Sequence, residues 1–373
     1  MEIQNYRTWI VISAKNLKNN YQIFRKLIDR KVLLMGVIKS NAYGHGLMTM
    51  ARAYSQLGVD WIGVDSIAEA NKLRKEKIKQ PLFVLGYTQA ENFSLATKQN
   101  ISLSISSFDS LQKLSRYKKK LNIHIKINSG MNRQGFFLSD VPEVLMLLHT
   151  MRNITVEGLY THFAAAKDPK DVTDTQKQID IFKKAIHLFR AAGFKPICHA
   201  AASGGVMNFP QSHFDMVRVG IGMYGLWPSP ETKKAFQKTI RLQPVLSWLT
   251  IVSELKWLEK GQKIGYDYTE RLGKRTKVAI LPIGYWHGYW RAFSGKAYVL
   301  IGGKRCKVLG RVSMDMIAVD VTEVPNVKVE EEAVLLGKQG REEVTADELA
   351  KLAKTSNYEI VTRLNPLIKK IFR

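Results

Sequence analysis

The sequence predicts an α/β fold, with an N-terminal (β/α)8 barrel of the TIM type over residues 1–234 followed by a mainly β domain over 235–373. Three observations lead there. Eight apolar, β-branched-rich runs recur through the first part, mostly 20 to 30 residues apart. The stretches between them carry helical periodicity, and past residue 235 that alternation gives way to short strands separated by Gly- and Lys-rich turns. Near-continuous apolar strands alternating with amphipathic helices are the mark of a parallel sheet closed into a barrel with its helices outside. The 373 residues exceed the size at which single hydrophobic cores stop growing, so two domains are expected.

The eight runs are VLLMGVIK (32–39), WIGVDS (61–66), PLFVLGY (81–87), ISLSISS (101–107), IHIKINS (123–129), VEGLYTHF (156–163), PICHAAAS (196–203) and DMVRVGIGM (215–223). Between the first two, Leu47, Met50, Ala51, Tyr54 and Leu57 fall three or four residues apart, as on one face of a helix. SIAEANKLRKEK and TQKQIDIFKKAIHLFRAAG repeat the pattern, the last stopping at Gly193, a residue that takes the left-handed backbone of a helix end. LWPSPETKK (226–234) reads as a linker, because Pro228 and Pro230 continue neither element. Beyond it VLSWLTIVSELKWL, KVAILPIGY, KAYVLIGGKRCKVLGRVSMDMIAVDV and EEAVLLG read as strands, with one helix in TADELAKLAK.

Composition excludes several classes. MEIQNYRTWIVISAKNLKNN lacks a basic start followed by a long apolar core, so no secretory signal is expected, and no run approaches a membrane span. Two distant cysteines, Cys198 and Cys306, argue against a disulfide framework or a metal site and fit the reducing cytoplasm. The net charge of +25 invites a nucleic-acid reading, but the basic residues are spread thinly and no binding motif accompanies them. A solvated basic surface attractive to small anions is expected instead, with no nucleic-acid or membrane partner.

The barrel sharpens the reading of single residues, since such barrels place chemistry at the C-terminal ends of their strands. Lys39 ends the first run, in VIKSNAYGHG, where it reads either as a snorkelling surface lysine or as a pocket lysine able to form a Schiff base. His162 lies near the end of the sixth run, Ser203 ends the seventh, and Arg218, Gly220 and Ile221 fall in or just past the eighth. The loops after strands seven and eight commonly hold phosphate, and SGG (203–205) and GIG (220–222) offer backbone N–H groups there. A strand-end lysine with a phosphate cradle across the mouth suggests pyridoxal 5'-phosphate. Taken singly, His162 reads equally as a core histidine, Tyr266 as a strand tyrosine and Arg218 as half of an ion pair.

Taken together, VIKSNAYGHG, KINSGMNRQG, GLYTHFAAA, HAAASGG, MVRVGIGMYGL, GQKIGYDYTE, LPIGYWHG, GRVSMDM and NYEIVTRLN, in that order, resemble the bacterial alanine racemase family over essentially the whole chain. The resemblance implies a pyridoxal-phosphate enzyme that interconverts L- and D-alanine for peptidoglycan with two bases. Lys39 would carry the cofactor and serve one face, and Tyr266 would serve the other from the partner subunit of a homodimer. It assigns Tyr43, Ser203, Gly220, Ile221 and Tyr358 to the phosphate, and His162 to the cofactor ring and the tyrosine network. Arg218 would meet the pyridine nitrogen; as an obligate cation and donor it would leave that nitrogen unprotonated. Arg133 would contact the phenolic oxygen and the substrate carboxylate, which the Met314 backbone N–H also meets, and Lys126 matches a lysine that is often carbamylated.

The chain departs from the family pattern at Asn128, Ala202 and Ser313, and more visibly at the entrance, where Lys167 stands for an aspartate and GYWHG, with Trp286 and His287, replaces GYADG. Arg291 is read as the cation that would have faced that aspartate. Alanine is the expected substrate, with serine or another small amino acid the alternative. A barrel-type decarboxylase would be expected to place a carboxylate, not Arg218, at the pyridine nitrogen.

Overall fold

The computed structural model describes residues 6–170 and 172–373 and divides into two compact units. One comprises Asn16–Ala42 and Leu47–Gln243; the other gathers the residues up to Lys15, the short excursion Tyr43–Gly46 and Pro244–Arg373.

The first unit is the expected barrel. Eight parallel strands close on themselves: Leu33–Val37, Trp61–Val64, Leu82–Val84, Ile101–Ile105, Leu121–Lys126, Ile154–Tyr160, Ile197–Ala202 and Met216–Val219. The eighth returns to the first in the register Leu33↔Met216 through Gly36↔Val219. The helices expected from periodicity form at Leu47–Leu57, Ile67–Lys75 and Thr173–Ala191. Gly58 and Gly193 follow two of them at φ +75° and +85°, the left-handed conformation that ends a helix at least cost to glycine. The stretch read as a linker instead carries a helix, Pro230–Phe236, within the barrel unit. Pro230 occupies its first turn, where the missing N–H costs nothing, and the Ser229 hydroxyl accepts from the Thr232 N–H.

The second unit is built on a ten-stranded sheet. Its spatial order runs Glu254–Leu258, Thr276–Leu281, Ile317–Asp320, Lys304–Leu309, Tyr298–Ile301, Glu332–Gln339, Leu246–Ile251, Thr8–Ile12 and Lys369–Phe372, with Glu342–Val344 beside Glu332–Gln339. Thr8–Ile12 is antiparallel to Leu246–Ile251 and parallel to Lys369–Phe372. Its backbone groups are therefore satisfied on both sides by the C-terminal part of the chain, so it groups with the β unit although a single division at 234/235 assigns it to the barrel.

Candidate active site

Lys39 follows the first barrel strand and enters an unusual turn. Ser40, Asn41, Ala42 and Tyr43 are all left-handed, with φ between +52° and +55°, a conformation that costs a non-glycine residue roughly 1–2 kcal/mol each. Hydrogen bonds hold the turn. Ala42 N–H donates to the Ile38 carbonyl at 2.8 Å, Leu47 N–H donates to the Asn41 side chain at 2.9 Å, and Asn41 N–H donates to the Glu69 carboxylate at 3.1 Å. The other oxygen of Glu69 accepts from Asp65 N–H at 2.9 Å, and the Asp65 carboxylate lies 3.6 Å from the Lys39 ammonium. Lysine, turn and carboxylate thus form one closed ring at the barrel mouth.

Arg218 is buried inside the barrel and held on four sides. Its two terminal nitrogens donate to the carbonyls of Thr161 at 2.7 Å, Ala200 at 2.9 Å and His199 at 3.0 Å, and to Nδ1 of His199 at 2.7 Å and of His162 at 3.2 Å. Burial lowers it to about 10, so it stays a cation at neutral pH. The same burial, with the charges of Arg218, Arg133, Lys126 and Lys39, pushes His162 down to about 3 and keeps its imidazole neutral. Lys126 donates to Gln134 at 2.9 Å and is lowered to about 8, first by burial and then by Arg133, Arg218 and Lys39. Lys126, Arg133 and His162 line one small cleft with Asn128 and Thr161. Across the seventh and eighth strand ends, the Ser203 hydroxyl accepts from the backbone N–H groups of Gly220 and Gly222, both at 3.2 Å, at the start of the short helix Ser203–Asn208.

The remaining candidates belong to the β unit. Tyr43 and Tyr358 have ring centroids 6.3 Å apart. Gly44, at φ +85°, makes this approach feasible, because a Cβ there would overlap the Val361 carbonyl oxygen on the helix Asn357–Thr362 that carries Tyr358. Burial, then the neighbouring Tyr43, pushes the Tyr358 hydroxyl well up, so it stays a neutral donor. Tyr266 sits at the tip of the hairpin formed by Lys263–Ile264 and Glu270–Arg271. An Asp267–Arg311 ion pair at 2.7 Å ties that tip to the loop leading to Met314. Tyr285 and Trp286 N–H groups donate to the carbonyls of Ser313 and Met314, at 3.0 and 3.1 Å. Three loops are thereby gathered, and they leave Tyr266 68% exposed, Trp286 56% and Met314 54%.

Comparison with known proteins matches both parts of the chain. Residues 12–228 fit the model of the alanine racemase N-terminal domain and residues 245–372 that of its C-terminal domain. The chain belongs to the alanine racemase family. The alanine racemase of Symbiobacterium thermophilum is 36% identical over 100% of this chain and 99% of its own length. The solved alanine racemase of Clostridium difficile 630 superposes with a TM-score of 0.92 at 31% identity, covering 99% and 96% of the two chains. A histidine racemase from Leuconostoc mesenteroides reaches 0.88 at 26% identity, with 99% and 98% covered.

The donors present suit the pyridoxal phosphate expected of this family. The barrel offers a lysine amine at a strand end and a seryl-glycyl cradle in which a Cβ on Gly204 would crowd the Ala166 carbonyl. Arg218 adds a buried guanidinium whose two terminal nitrogens are held by the barrel. Sequence reasoning passed over Asp65, Glu69, His124, Glu157 and His199. A signal for one of them was present: His124 and Lys126 alternate on one strand with period two and so face the same way, into the barrel.

Proposed function

We propose that the protein is a pyridoxal-phosphate-dependent racemase of alanine, working in the cytoplasm as a homodimer and supplying D-alanine for peptidoglycan. The observation that carries this reading is the buried Arg218 guanidinium, with no carboxylate in contact with it among the described residues, in the same barrel as the Lys39 amine. Bound pyridoxal phosphate would delocalise the electron pair left at Cα when its proton departs. Lys39 holds the cofactor and moves a proton on one face of Cα, while Tyr266 of a second copy moves one on the other, so that a proton leaves one side and returns to the opposite one. Arg218 would donate to the ring nitrogen of the bound cofactor and could not protonate it, which would weaken the electron sink and favour proton return over side reactions. Ser203, Gly220, Ile221, Tyr43 and Tyr358 would hold the phosphate. Arg133 and the Met314 N–H hold the substrate carboxylate, and His162, neutral beside Arg218, supports the tyrosine.

Two features support the finer parts. Tyr266, Tyr268, Trp286, Met314 and Met316 are each more than half exposed, although such side chains normally gather where another surface covers them. A second copy of this chain is the proposed cover. The lowered Lys126 supplies a neutral amine that can attack carbon dioxide, forming an N–C bond and releasing one proton, and the resulting anionic carbamate would orient Arg133.

The test is Cα exchange of L-alanine in heavy water by the cofactor-loaded enzyme, with chiral chromatography of the product, run beside serine and histidine. Deuterated alanine of both hands is expected. Carbon dioxide release would reassign the reaction to decarboxylation, and faster turnover of serine would move the substrate, a change to which the Trp286–His287 loop would be the first suspect.

A further inference from the structure

Small TIM-type barrels usually fill their interior with Val, Ile and Leu. This one carries a polar column instead. From Arg218 a hydrogen bond continues downward, His199 Nε2 lying 2.8 Å from His124 Nδ1; His124 Nε2 makes no hydrogen bond among the described residues, and the Glu157 carboxylate, 3.4 Å away, is its electrostatic partner. Glu157 also accepts from the Ser102 hydroxyl and from Asn122 Nδ2 at 3.4 Å. Both imidazoles are fully buried.

Donor chemistry fixes the direction of this chain. A guanidinium only donates, so His199 Nδ1 must be bare and its proton must sit on Nε2. That proton points at His124 Nδ1, which must therefore also be bare, placing the His124 proton on Nε2, the ring nitrogen 3.4 Å from the Glu157 carboxylate. The ring positions are built to suit. Phe83 stacks on His124 at 4.1 Å, Tyr160 lies parallel to His199 at 5.1 Å, and Gly158 leaves space that a Cβ would take from the His124 ring. Burial pushes both histidines down, consistent with one proton on each.

We propose that Glu157 is a positioning residue for Arg218, acting by its charge on His124 and onward through the one-way His199–His124 and Arg218–His199 hydrogen bonds across the barrel interior. A carboxylate in direct contact would occupy the guanidinium's donors and cancel its charge at the mouth. Two neutral imidazoles between them link the half-buried anion to the buried cation while leaving the Arg218 charge uncancelled at the mouth. This deepens the role assigned to Arg218 above and rests on it for its effect on turnover, but not for the existence of the chain.

Selective 15N labelling of the eight histidines tests the chain directly, with His199→Asn and His124→Asn spectra supplying the assignments. Both rings are expected as pure Nε2–H tautomers with hydrogen-bonded Nδ1 in the wild-type protein. Glu157→Gln keeps size and shape but can present either a donor or an acceptor to His124. It is expected to shift the 15N signals of His124 and His199 and to lower kcat about tenfold with KM little changed, as loss of an outer-shell partner typically does, with Glu157→Asp recovering most of kcat. A Nδ1–H tautomer at either ring, or unchanged histidine signals in Glu157→Gln, overturns the chain; shifted signals with unchanged kcat overturn the positioning role. A wild-type enzyme without racemase activity but with the expected tautomers would sink the functional reading and leave the chain standing.

Discussion

The barrel interior and the loop cluster of the β unit hold their functional candidates in opposite ways. Arg218, His199 and His124 are enclosed, hydrogen-bonded and stacked, so their geometry is complete within one unit. Tyr266, Trp286 and Met314 are more than half exposed on loops whose own backbones are well tied together. The first arrangement is preorganised by packing. The second is ordered but uncovered, which is what a surface awaiting a partner would present. Substitutions should therefore separate the two: changes in the column act on folding and, through Arg218, on turnover, while changes in the loops act on turnover and assembly with folding left intact.

Removing the barrel's reactive amine breaks the comparison most severely. Lys39→Ala is expected to abolish racemisation and the visible absorbance of the bound cofactor while the protein still folds, because Lys39 is half-buried and, among the described residues, only Asp65 pairs with it. Tyr266→Phe comes next, with turnover falling by about 10²–10⁴-fold, the usual worth of a positioned acid–base group. Its melting temperature should not move, since the hydroxyl lies on an exposed tip. Mixing the two inactive variants sharpens the point. If sites are shared between copies, hybrid dimers regain activity at the one site that has both groups; no recovery would place Tyr266 and Lys39 in the same subunit.

Acid should attack the column before the loops. His124, His162 and His199 all titrate below their ordinary 6.5 in the fold, so the unfolded chain binds more protons than the native one as pH drops past that value. Their stabilising contribution is complete above about 6.5 and is lost as pH falls, by up to about 1.4 kcal/mol per pH unit for each proton. Melting temperatures between pH 7.5 and 5 should decline steeply, and His199→Asn should flatten the slope while lowering the plateau. In the β unit, Gly44→Ala forces a Cβ into the Val361 carbonyl at φ +85°. A loss of about 2–4 kcal/mol is expected by denaturant titration, with weaker cofactor binding as Tyr43 is displaced from Tyr358.

Much of this was written where period and chemistry coincide. The eight strands were legible because parallel barrel strands are nearly continuous in apolar residues, and Lys39, His162, Ser203 and Arg218 because strand ends are where such barrels put polar groups. The N-terminal strand Thr8–Ile12 was not, since its partners lie more than 200 residues away and nothing local marks it as part of the β unit. Pro230 misled for a different reason: proline both breaks helices and begins them, and only the capping Ser229 tells the two apart. Glu157 was invisible because its meaning depends on two histidines from other strands that face it only once the barrel has closed.

The smallest expected effect lies at the barrel mouth, in the ring of Lys39, Asn41, Asp65 and Glu69. The Lys39–Asp65 pair is substantially exposed on both sides and 3.6 Å long, so Asp65→Asn should change stability by no more than about 0.5–1 kcal/mol, and the difference should vanish in 1 M salt. Glu69→Gln should cost more, about 1–3 kcal/mol, because one carboxylate there accepts from the N–H groups of both Asn41 and Asp65, and an amide can serve only one of them. That order follows from asking which carboxylate the left-handed turn depends on. Should Asp65→Asn prove the costlier change, and remain so at high salt, the turn is braced by the lysine itself, and the reactive amine is part of the scaffold.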